Sequence, residues 1–170
     1  WHSDFMDIYL ASNCKIFIGG PSGLLSVSHI FNVPVAATNY WPVTTVSIPL
    51  NSLFIPKLMW LIEEKRFLSY KEIKDHNLDM YKYKDEYILK GIEIIENDND
   101  DIKLLTEDML DLVNNKSLSV KDENTRDKFM NKYFVVNKYM NKYNKKHEDL
   151  ENSGKISWRF LNKHSFLMNK

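Results

Sequence analysis

The spacing of apolar and polar positions changes several times along this 170-residue chain, and each change marks an element. Residues 16–18 (Ile-Phe-Ile) are a short apolar run that stops at Gly19-Gly20-Pro21-Ser22-Gly23. Leu24, Leu25, Val27, Ser28, Ile30 and Phe31 then recur at helical intervals and predict a helix buried against a sheet. Asn32 suits the position after a helix end and Pro34 blocks continuation. The apolar stretch 33–37 has the short, unalternating character of a parallel strand covered on both faces. Upstream, Ser3 caps a predicted helix over 4–12, with Phe5, Ile8 and Tyr9 on the face expected to meet the sheet.

Downstream, 44–54 is irregular, and 55–61 could be strand or apolar helix. Ser69-x-x-Glu72 is a capping box that places a short helix over Tyr70–Asp75. A polar loop is expected over 77–86, with Tyr81, Tyr83 and Tyr87 suggesting a surface that closes over something. A strand over 91–95, a turn at Asn97-Asp98-Asn99 and a helix over 100–113 repeat the opening strand–turn–helix layout, as a doubly wound fold requires. That helix shows Ile102, Leu105, Met109, Leu112 and Val113 on one face and charges on the other. An amphipathic helix over 121–146, a hydrophilic break over 145–154 and a last helix over 156–168 close the chain. The expectation is an α/β domain over 1–115, with a short parallel sheet and flanking helices, followed by a helical extension over 116–170.

Composition narrows the function classes. With 44% hydrophobic and 13% aromatic residues the chain is globular rather than disordered. Its 23 basic and 23 acidic residues cancel, which argues against a nucleic-acid partner. The lone Cys14 forms no internal disulfide framework and fits a reducing compartment. No apolar run reaches the length of a membrane span; the best, 53–62, contains Pro56 and Lys57.

Candidate chemistry centres on the glycine turn. A strand that opens through such a turn into a helix collects free backbone N–H groups and the positive end of the helix dipole at one corner. Gly20 and Gly23 permit close approach, and Ser22 adds a hydroxyl at the N-cap. In an open α/β sheet this corner lies at the carboxyl end of a strand, where ligands bind. The Walker pattern is absent and only Gly20-x-x-Gly23 survives of a dinucleotide fingerprint, so a purely structural turn stays open. Thr38 and Asn39 are expected in the loop after the second strand, where they could contact sugar or ribose hydroxyls. Lys57 could reach a phosphate, though a snorkelling side chain is simpler. Asp4 and Asp7 read more simply as dipole partners than as a catalytic pair, and the five histidines with Cys14 make no metal pattern.

The stretch SDFMDIYLASNCKIFIGGPSGLLSVSHIFNVPVAATNYWP resembles the donor-binding half of GT-B glycosyltransferases. It is closest to a poorly characterised bacterial family with a "D-x-Y-L" helix, a "C-x-F-x-I-G-x-x-S-G" turn and a "G-V-P" strand ending in "T-N". The likeness continues through LFIPKLMW, FLSYKEI, GIEIIEND and KISWRFLNKHSFL. Heptosyltransferases and O-linked N-acetylglucosamine transferases show a looser version. Heptosyltransferases carry an acid and a histidine where this chain has Pro21 and Ser26, so the sugar stays open.

The resemblance implies a Rossmann-like C-terminal half whose acceptor half and catalytic base lie outside this sequence. It implies a nucleotide-sugar donor, a glycan, lipid or protein acceptor, and a role in surface polysaccharide or glycoconjugate synthesis. The expected location is the cytoplasm, with or without peripheral attachment to the inner membrane face. Gly20, Ser22, Gly23 and Leu24 would hold the diphosphate, with no metal or other cofactor. A nucleotide-sugar epimerase of the same architecture and a non-catalytic remnant are the alternatives.

Overall fold

The computed structural model describes residues 3–41, 48–81, 83–134 and 154–169. Parts of the expected irregular stretch over 44–54 (44–47), of the helix over 121–146 (135–146) and of the polar break over 145–154 (145–153) lie outside the described residues.

Helix α1 (Asp4–Asn13) leads into strand β1 (Phe17–Gly19), helix α2 (Gly23–Ile30) and strand β2 (Val35–Tyr40). Strands β3 (Leu53–Pro56), β4 (Leu58–Leu61) and β5 (Arg66–Phe67) follow, then α3 (Tyr70–Asp75), a 3-10 turn (Leu78–Met80) and α4 (Lys84–Ile88). Strand β6 (Ile92–Ile95), α5 (Asn99–Val113), α6 (Val120–Tyr133), β7 (Lys155–Ile156), α7 (Trp158–Lys163) and a 3-10 turn (Ser165–Met168) complete the order.

Short-range chemistry explains where the helices begin and end. Serines 3, 22, 69, 119 and 157 and Asp98 each accept a backbone N–H three residues on, satisfying donors that helix geometry leaves unpaired. Asn32, Asn77 and Asn115 stand just beyond helix ends at φ of 56°, 52° and 55°. Asparagine tolerates this left-handed conformation, so it does here what glycine more often does.

A four-stranded, wholly parallel sheet in the order β1-β2-β3-β7 and a three-stranded antiparallel sheet in the order β5-β4-β6 form the framework. The fold is α/β with flanking helices, as expected, but several elements fall elsewhere. The ambiguous stretch 55–61 is two strands in different sheets, broken at Lys57. β6 pairs antiparallel with β4 rather than extending the parallel sheet, so the second strand–turn–helix does not repeat the first. Its helix α5 nevertheless covers β2 and β3. Ile156, expected to open the last helix, and Lys155 before it pair with Phe54 and Leu53 as the fourth parallel strand.

The main core gathers Val35, Ala37, Phe54, Ile55, Leu105, Met109, Ile156, Phe160 and Leu161. A smaller core under the second sheet holds Met59, Leu68, Ile73, Leu78, Tyr87 and Ile92. Tyr87, expected on a polar loop, is 1% exposed, and its hydroxyl donates to the Leu78 and Tyr81 carbonyls. α1 rests on α2 and not on the sheet; its Ala11 carbonyl accepts from Ser28 Oγ at 2.9 Å. Phe5, Ile8 and Tyr9 are therefore exposed, and so are Leu24 and Ile30 of α2 and the following Phe31; the inner side of α2 is Leu25 and Ser28.

Candidate functional site

The glycine–serine corner forms as anticipated. β1 ends at Gly19, and α2 starts at Gly23 with Ser22 as its N-cap, the Ser22 side chain accepting from Leu25 N at 3.4 Å. Helix geometry gives the amides of Gly23 and Leu24 no intrahelical acceptor. Pro21, Ser22, Gly23 and Leu24 are all exposed. A Cβ on Gly20 would stand 3.7 Å from the Thr38 carbonyl, and one on Gly23 would meet nothing within 4 Å. Neither glycine is thus demanded by crowding within the chain, and neither has positive φ.

Thr38 and Asn39 lie inside β2 rather than in the loop after it. The pairing of β2 with β3 slips between Ala37 and Tyr40, and Asn39 takes φ 50° within this irregularity. Thr38 is buried, its carbonyl beside Gly20. Asn39 is tied down by a reciprocal pair. Its N–H donates to Asn97 Oδ1 at 2.6 Å, and its own Oδ1 accepts from Asn97 N at 2.7 Å. Asn97 Nδ2 also donates to the Pro56 carbonyl at 2.8 Å. One buried asparagine thereby joins the carboxyl ends of β2 and β3 to the start of α5. Sequence reading took Asn97 only as a turn residue; an amide before a capping aspartate gave no further signal.

Beyond Asn97, Asp98 caps α5 and Asp101 sits buried in its first turn. Lys163 Nζ reaches both carboxylates, and His164 Nε2 lies 2.7 Å from Asp101 Oδ1. Burial raises the Asp101 pKa, but hydrogen bonds from His164 and Lys163 outweigh it and hold the carboxyl below the usual range. Lys57, once a candidate phosphate ligand, pairs with Glu96 at 3.0 Å. Both of these lysines near the carboxyl edge already have acidic partners. Positive potential at the corner therefore comes chiefly from backbone amides and the helix dipole.

His29, on α2, has its Nε2 buried without a hydrogen-bond partner among the described residues, and burial lowers its pKa. It is a partly buried histidine whose neutral form is favoured. Among the described residues no group of three or more His, Cys, Asp or Glu could hold a metal ion, and no helix is long and apolar enough to cross a membrane. Two described cavities, of about 290 and 520 Å³, are lined by other parts of the chain. Searches of protein-family models, curated proteins and solved structures give no match to this chain.

Proposed function

We propose that this chain is the donor-binding half of a glycosyltransferase, whose glycine–serine corner receives the diphosphate of a nucleotide sugar. Gly20, Ser22 and the amides of Gly23 and Leu24 bind the diphosphate and stabilise the charge that grows on it as the glycosyl bond breaks. Donors aimed at developing charge lower the barrier more than they tighten ground-state binding. Thr38, through its carbonyl, and Asn39, through its clamped position, shape the floor beside that corner. The acceptor-binding half and the catalytic base belong to a segment outside this sequence, as the GT-B resemblance implies.

The observation that carries the reading is the exposed, uncrowded corner at the carboxyl end of β1, where two glycines serve no internal packing need. Magnitudes set its share. A helix terminus contributes about 0.3–1 kcal/mol, or ~2 kcal/mol when partly buried, whereas micromolar binding takes about 8 kcal/mol. Base, ribose and sugar contacts supply the remainder, so these 170 residues alone bind nucleotide weakly and transfer no sugar. Calorimetric titration with UDP, GDP, dTDP and ADP tests this. The expected result is weak binding of at least one, lost in Gly23→Val with the melting temperature unchanged. Equal affinity in Gly23→Val, or no binding of any of the four, would overturn it.

A further inference from the structure

The opposite edge of the parallel sheet carries a polar cavity. It measures about 290 Å³ and lies between the start of β3, the second half of α5, the 115–118 connection and α6. Three cations line it: Lys116, Arg126 and Arg159. Two of them are neutralised. Arg159 bonds Asp108 and reaches Asp111 at 2.7 Å, and Lys116 meets Asp111 at 3.1 Å.

Arg126 is different. Its side chain is 12% exposed, yet Glu123 on the preceding turn, 3.7 Å away, is beyond hydrogen-bond reach and itself half exposed, and Asp127 and Asp108 act on it through charge alone. Its Nε is buried with no hydrogen-bond partner among the described residues. Burial lowers the Arg126 pKa, but a guanidinium stays charged throughout the physiological range. A guanidinium N–H withdrawn from water with no bonded partner is unfavourable. The cavity beside it has room for one. Leu53, Leu112 and Leu118 give the same space an apolar side.

We infer that this cavity is a binding site for a small oxyanion, a phosphate or carboxylate group on a compact apolar body, with Arg126 as its anchoring cation. The planar guanidinium matches the paired oxygens of either group. The site is distinct from the diphosphate corner, because its walls belong to the amino edge of the sheet and the far half of α5.

Thermal-shift and calorimetric titrations of the whole 170-residue protein with inorganic phosphate, phenyl phosphate and benzoate test the inference. Saturable binding of phenyl phosphate or benzoate is expected, and the stronger of the two identifies the headgroup. Arg126→Met should weaken that binding at least about tenfold, the scale of one charge-assisted bond. Its ligand-free melting temperature should equal or exceed that of the parent, because a buried, unsatisfied N–H has been removed. Glu123→Gln, which takes away one of the acids near Arg126, should tighten binding. No binding of the three probes at millimolar concentration would overturn the assignment. So would a response unchanged in both variants, or a ligand-free Arg126→Met that melts lower while binding as before.

Discussion

Replacing Asn97 by alanine tests the junction on which the carboxyl edge depends. The side chain makes two hydrogen bonds, accepting from Asn39 N at 2.6 Å and donating to the Pro56 carbonyl at 2.8 Å, and the residue is 8% exposed. The third bond, from Asn97 N to Asn39 Oδ1, is made by the backbone and survives the substitution. Truncation strands one N–H and one C=O in a largely dry place, each at about 1–3 kcal/mol. Some water enters the space left behind, so the expected loss is about 2–4 kcal/mol, against a total stability of about 5–15 kcal/mol. Followed by tryptophan fluorescence in urea, this lowers the midpoint by roughly 1–2 M at an unchanged slope. Asn97→Asp sharpens the test. At neutral pH its carboxylate still accepts from Asn39 N but faces the Pro56 carbonyl with no donor. Once protonated, it can donate to that carbonyl. The folded state thus raises the introduced carboxyl above its unfolded value of about 3.9. The stability it gains is present below that value and lost as pH rises through the folded pKa. An Asn97→Ala loss under about 0.5 kcal/mol, or an Asn97→Asp variant as stable as the parent at pH 7, would refute the reasoning.

Other substitutions separate fold from site. Gly23→Ala meets nothing within 4 Å and should be neutral or stabilising by up to about 1 kcal/mol in thermal melts. By contrast, a Cβ on Gly154 would lie 2.7 Å from Ile48 side-chain carbons and from the Ser52 carbonyl, so Gly154→Ala should lower stability by about 1–3 kcal/mol in the same assay. Asp108 accepts from Ser157 Oγ at 2.6 Å and Arg159 N at 2.9 Å while pairing with the Arg159 guanidinium. Asp108→Ala should lose about 3–5 kcal/mol in urea titration, since it leaves the partly buried guanidinium short of a partner. The Arg66 fork, 3.1 and 2.7 Å from the Glu72 oxygens, holds that carboxyl at about 2, down from 4.5. Because the folded pKa is depressed, its contribution is present above pH 4.5 and lost as pH falls toward 2; Glu72→Gln should flatten that part of an acid-stability profile.

Local chemistry made the candidate corner legible in the sequence. The helix starts at Ser3, Ser22 and Ser69, the turn between β1 and α2, and the ends at Asn32 and Asn115 each depend on contacts within a few residues. Their side-chain types therefore announce them. The apolar face of α5 was legible too, with Leu105 and Met109 in the core as its period predicted. That period also placed its aspartates outside, yet Asp101 and Asp108 are buried on the inner side, where Lys163, His164, Ser157 and Arg159 meet them.

Partner choice belongs to the tertiary structure. Periodicity says that 92–95 is extended, but not that it pairs with β4 across an antiparallel ladder instead of joining β1–β3. Nor does a two-residue strand at 155–156 produce any repeating signal. The bonds that clamp Asn39 to Asn97 span 58 residues, and those from Arg159 to Asp108 span 51. A hydrogen bond or ladder formed across such a separation depends on which surfaces the whole core brings together. The sequence by itself therefore determined the caps, the turns and the exposed glycine–serine corner. Packing alone decided which strands share a sheet and which buried polar groups hold that corner in place.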